Sequence, residues 1–177
     1  YEIVVVDDFT LDGNYDLTSV EAVFGFWNGG EVEGYAGADS WNIEIYSSSA
    51  AAASNLTGDV ASITGLLPTM ATQPFGGPGT DNRVLLEFDV TGTSLTAGTY
   101  WLGVAPVGAF GTWGQAGVIN STIGNLNAGQ ANPGEAFGFG PYQDFDPPGN
   151  AGYRISGVPE PASLLLLGLA GLLIRRR

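Results

Sequence analysis

Through residues 1–157 apolar side chains recur at every second position, in short runs broken by Gly, Asn, Asp and Pro. Between Asp16 and Trp27, Val20, Ala22, Phe24 and Phe26 fall on one side, with Glu21, Val23, Gly25 and Trp27 on the other. Trp41, Ile43 and Ile45 alternate with Asn42, Glu44 and Tyr46. Val84, Leu86, Phe88 and Val90 point one way, and Arg83, Glu87 and Asp89 the other. Tyr100, Leu102 and Val104 share a face opposite Trp101. A period of two predicts half-buried strands.

Further strands are expected over Tyr1–Leu11, Val60–Thr64, Trp113–Ile119, Glu135–Phe139 and Ala151–Gly157, where Tyr153 and Ile155 share a face. Asp12-Gly13-Asn14, Asn28-Gly29-Gly30 and Leu95–Gly98 read as turns, and Gln73–Asn82 as a loop. Ser47–Ser54, S-S-S-A-A-A-A-S, reads as a low-complexity loop, with a helical turn as the alternative because Ala favours helix. Many short strands, few helix signals and antiparallel-compatible turns predict an all-β fold. The expected architecture is an antiparallel β-sandwich, jelly-roll-like, spanning 1–157.

The pattern changes at residues 158–177, V-P-E-P-A-S-L-L-L-L-G-L-A-G-L-L-I-R-R-R. The run Ala162 to Ile174 is apolar or small throughout, and predicts a short hydrophobic helix. Such a helix is about 20 Å long against a hydrocarbon core of about 30 Å, marginal for a durable span. Pro159 and Pro161 resist extending it, and Glu160 is costly in lipid. An amphipathic core helix would keep a polar stripe, which this run lacks. Arg175, Arg176 and Arg177 favour the cytoplasmic side, which places the body outside.

Charge and missing residue types narrow the chemistry. There are 18 acids against five basic residues, giving a net charge of −13, and three of the five arginines close the tail. The body is repelled by nucleic acid phosphates and anionic headgroups, so no nucleic acid partner is expected. The chain has no Cys, no His and no Lys. Disulfides, thiolate catalysis and Ser-His-Asp triads are excluded, as are Schiff bases and most transition-metal sites. Tyr1 leads straight into a strand-like run, so an export signal is expected upstream of it.

Pro159-Glu160-Pro161, then the apolar run containing Ala162, Leu164, Leu165, Leu166, Leu167, Leu169, Leu172, Leu173 and Ile174, then Arg175–Arg177, resemble the PEP-CTERM sorting signal. The resemblance implies export, transient retention in the inner membrane, and recognition near the motif by an exosortase, a membrane-embedded transpeptidase-like enzyme. The destination it implies is the outer surface or extracellular matrix of an exopolysaccharide-producing bacterium. V-D-D-F-T-L (Val6–Leu11), Leu17–Trp27, W-N-I-E-I-Y (Trp41–Tyr46) and Leu95–Val104 are similar to the sandwich domains often found ahead of this signal.

Two candidate sites compete with structural readings. Asp12, Asn14 and Asp16 place oxygen ligands at alternate positions, as calcium prefers. The EF-hand pattern fails, since Leu17 and Val23 stand where its Gly and Glu belong, and a hairpin turn accounts for the same residues. Gln143–Asn150 forms a second acidic loop. Trp27, Trp101 and Trp113 are candidates for stacking on sugar rings, against cover by loops. The expected function is non-enzymatic: a structural or adhesive role in the polysaccharide matrix. A carbohydrate-binding module, with or without calcium, is the alternative, and a secreted glycan hydrolase using paired acids is a third. No other cofactor is expected.

Overall fold

The computed structural model describes residues 3–26, 38–72, 83–108, 113–115, 117–119 and 126–160. Trp27, the Asn28-Gly29-Gly30 turn, the Gln73–Asn82 loop and the expected hydrophobic helix lie outside these residues.

The chain runs β1 (Val4–Leu11), β2 (Tyr15–Phe26), β3 (Ser40–Tyr46), α1 (Ser49–Ser54), β4 (Ala61–Leu66), β5 (Met70–Thr72), β6 (Val84–Leu95) and β7 (Gly98–Val107). Short strands follow: β8 (Trp113–Gln115), β9 (Gly117–Ile119), β10 (Gly129–Ala131), β11 (Tyr142–Asp144) and β12 (Gly149–Ala151). The last strand is β13 (Tyr153–Pro159). One sheet has the order β11-β10-β1-β7-β3-β4, and the other β13-β2-β6-β5, with β8 also on β2. Strands β9 and β12 form a separate ribbon. Among the described residues all pairings are antiparallel.

The β1–β2 segment and the β6–β7 segment make one long ribbon that bends from sheet to sheet. Leu11 pairs with Gly98 before the bend, and Tyr15 with Leu95 after it. Such a folded ribbon gives the sandwich its jelly-roll-like course. The alternation read from sequence explains why it closes. Val20, Ala22 and Phe24 meet Trp41, Ile43 and Ile45 across the interface, with Val84, Leu86, Phe88, Val90, Leu102 and Val104 completing the core. Trp41 is 1% exposed and sits between two rings, 4.6 Å from Phe24 and 5.5 Å from Phe88.

The larger sheet is also covered on its outer face. Val4, Val6, Tyr46, Ala105 and Ala131 pack there with Ala52 of α1. Within Ser47–Ser54 the helical alternative is therefore realised, and not the loop. Ser48 caps the helix by accepting from the Ala51 N–H at 3.1 Å, and burial of Ala52 supplies the packing. The chain then folds back beneath α1. Tyr46 donates to the Leu56 carbonyl, and the Gly58 N–H donates to Glu44 at 2.8 Å. Gly58 is required here, because a Cβ would lie 2.3 Å from the Ala61 carbonyl oxygen. A departure is Glu135–Phe139, expected as a strand. A 3-10 turn occupies Ala136–Gly138, held by the buried Asn132 side chain, which donates to the Ala136 carbonyl and accepts from the Ala136 N–H.

Candidate functional site

Strand β13 is where the sandwich meets the tail, and two features fix it. Near its start, Tyr153 packs against the inter-sheet core. Its hydroxyl donates to the backbone carbonyls of Asp7 at 3.1 Å and Asp8 at 2.8 Å. Burial, with the nearby Asp7 and Asp8 charges, pushes that hydroxyl pKa up. Tyr153 thereby ties the edge of the smaller sheet to β1 of the larger one.

Asp7 reinforces the same junction. Val4 and Val6 face α1, so alternation turns Asp7 toward the other sheet, where it is 4% exposed. One carboxylate oxygen accepts from the Ala151 N–H at 2.8 Å, and the other from the Asp8 N–H at 2.9 Å. Burial raises its pKa from 3.8 to about 6, against the lowering effect of those two bonds. Both oxygens are engaged by backbone, which makes Asp7 a strut between β1 and β12. In the sequence Asp7 stands out only as an acid near the Asp12, Asn14 and Asp16 candidate, because its partner Ala151 is 144 residues away. Tyr142 lies nearby, with its hydroxyl pushed up to about 12 by burial and the Asp144 charge.

The far end of β13 extends two residues beyond the expected boundary at 157. Gly157, Val158 and Pro159 pair with Leu17, Asp16 and Tyr15 of β2, after a bulge at Ser156/Gly157. The next residue is fastened as well. The Glu160 N–H donates to the Asn14 carbonyl at 3.0 Å, and Asn14 Nδ2 donates to Glu160 Oε2 at 3.2 Å. Asn14 Oδ1 in turn accepts from the Ala97 N–H at 3.3 Å. One side chain thus joins the β1–β2 turn, the β6–β7 turn and Glu160 of the Pro159-Glu160-Pro161 motif.

Residues 157–177 match the family model of the PEP-CTERM protein-sorting motif. The chain carries a PEP-CTERM sorting motif. The sequence resemblance named this segment to within one residue. The motif marks the chain as exported, membrane-anchored through its sorting signal and processed by an exosortase. No curated protein and no solved structure matches the chain. Among the described residues, no helix is long and apolar enough to cross a membrane.

The residues of the other expected sites have partners of their own or lie outside the described residues. Asp12 accepts from the Tyr15 hydroxyl at 2.9 Å, Asp16 accepts from Ser94 Oγ at 2.5 Å, and Asn14 holds Glu160 and Ala97. Among the described residues no three Asp or Glu side chains come together as a metal-holding group. These bonds engage a side-chain oxygen of each of the three residues and serve the turn. Of the acidic loop Gln143–Asn150, Asn150 accepts from the Leu126 N–H at 2.9 Å, and its two ends belong to β11 and β12. Trp101 is half-buried and packs against the cluster under α1. Trp113 begins β8, but its side chain, like all of Trp27, lies outside the described residues. The three rings are not brought together by anything described.

Proposed function

We propose that the sandwich is a non-enzymatic structural or adhesive element of the extracellular polysaccharide matrix, delivered to the outer surface through the sorting motif. The observation that carries this reading is the continuity of β13 with the motif. The last strand of the core is also the first part of the signal, so what is sorted is the folded sandwich itself.

Chemistry supports the same conclusion. The chain lacks His, Cys and Lys. Among the described residues the carboxyl group raised strongly by burial is Asp7, whose two oxygens are both bound to backbone N–H groups. A strongly acidic sandwich, in a chain of net charge −13, with apolar clusters on both sides of one sheet is suited to persist as a hydrated building block.

The test is fractionation of a producing strain. The wild-type chain is expected in the polysaccharide-associated surface fraction, and a chain lacking 158–177 outside it. Purified body should release no reducing sugar from the matrix polysaccharide. Equal partitioning of both chains, or steady sugar release, contradicts the proposal.

A further inference from the structure

The contacts at Glu160 bear on how the sorting motif is handed over. A membrane-embedded enzyme that reads residues near Pro159-Glu160-Pro161 must surround that stretch of chain. In the folded protein one side of it is already occupied. Pro159 is paired with Tyr15, and the Glu160 N–H and carboxylate are both bound by Asn14. The same Asn14 is held in place by the Ala97 N–H, so the partner belongs to the folded corner and not to a loose turn.

From this arrangement we propose that the sandwich corner is an autoinhibitory latch. Asn14 holds the motif against the β1–β2 turn, and exosortase processing proceeds from the undocked strand end. The proposal rests on exosortase processing of this motif and adds the step that precedes it. Binding by the enzyme is weakened in proportion to the fraction of chains that are undocked. The latch is small, made of one backbone bond, one exposed side-chain bond to a carboxylate and the last rungs of an edge ladder. Small latches suit this task, because they hold the motif without preventing its release.

The chemistry suggests a narrow perturbation. Asn14→Asp keeps the side-chain oxygen that accepts from Ala97 and keeps a residue that favours turns. It removes only the donor to Glu160 and sets two carboxylates against each other. Two companions bracket it. A ten-residue Gly/Ser insertion between Gly157 and Val158 frees the motif from the sheet. The pair Asp16→Cys with Val158→Cys closes it, because facing residues of an antiparallel ladder lie within disulfide reach, and the chain has no other cysteine.

The experiment incubates full-length chains with membrane vesicles containing the exosortase and follows loss of the C-terminal segment by mass spectrometry. Asn14→Asp should be processed roughly three- to tenfold faster than wild type, given the net worth of about one exposed hydrogen bond. The insertion should be at least as fast as Asn14→Asp. The disulfide form should be slowed several-fold and recover on reduction. If wild type, Asn14→Asp and the insertion are processed at equal rates, or if Asn14→Asp is slower, the latch is overturned while processing of the motif stands. If none of them, including the freed motif of the insertion, is processed, exosortase processing is overturned and the latch falls with it.

Discussion

Acidification should stabilise this protein through Asp7. The perturbation is a change from about pH 7.5 to about pH 4.5, made in the wild type and in Asp7→Asn. Asp7 has a pKa of about 6 in the folded chain, against an ordinary value of 3.8, because it is buried at 4% exposure. Above pH 6 the carboxylate is charged in both states, and the fold bears the cost of keeping that charge from water. Between the two values the folded state holds the extra proton. Stability therefore rises as pH falls through 6 and levels off below the unfolded value. Integrating the linkage from pH 7.5 to pH 4.5 gives about 2 kcal/mol for this one group. A domain of this size converts that into a shift of roughly 4–8 °C.

Other groups also titrate. Relief of the −13 charge acts in the same direction as Asp7. Asp59 and Asp89 oppose it at lower pH, because hydrogen bonds from Ser47 and Thr91 hold their pKa values down. All three effects are shared by Asp7→Asn, so the informative quantity is the difference between the two proteins. Thermal unfolding followed by circular dichroism should show the wild type gaining about 2 kcal/mol on Asp7→Asn from pH 7.5 to 4.5. Parallel pH profiles for the two proteins would refute the burial argument.

Three further outcomes follow from the packing. Trp41→Ala removes the ring between Phe24 and Phe88 and should cost about 3–5 kcal/mol in urea unfolding. A cost under about 1 kcal/mol would mean that the two sheets do not close on Trp41. Gly58→Ala places a Cβ 2.5 Å from the Ile45 carbonyl oxygen and should destabilise by about 1–3 kcal/mol, measured in the same way. Ser48→Ala removes the α1 cap and should cost about 1 kcal/mol, with faster amide exchange confined to Ala51 and its neighbours.

Most of the sandwich was legible in the sequence because its strands bury one face each. Val20, Ala22 and Phe24, Trp41, Ile43 and Ile45, and Val84 to Val90 needed only their alternation to be placed. Ser47–Ser54 reads two ways in the sequence because six helical residues are too few for propensity to decide. The helix exists through Ser48 and through Ala52 meeting Val4 and Tyr46, distant partners that no local pattern announces. Glu135–Phe139 failed for a related reason, since the buried Asn132 side chain competes for the backbone there. The sorting motif was legible as a motif, through composition and order. Its attachment to the body was not, because Asn14 and Glu160 are 146 residues apart and each alone reads as an exposed polar residue. Asp12, Asn14 and Asp16 drew attention for their oxygens, and the significance of Asn14 is in its amide donor.

The central claim is that this chain is a folded cargo whose C-terminal segment is a processed address. The most direct measurement is the intact mass of the mature protein recovered from producing cells. The account predicts a species truncated within or just after Pro159-Glu160-Pro161, lacking the apolar run and Arg175–Arg177. Recovery of the surface protein with Arg177 intact would contradict it.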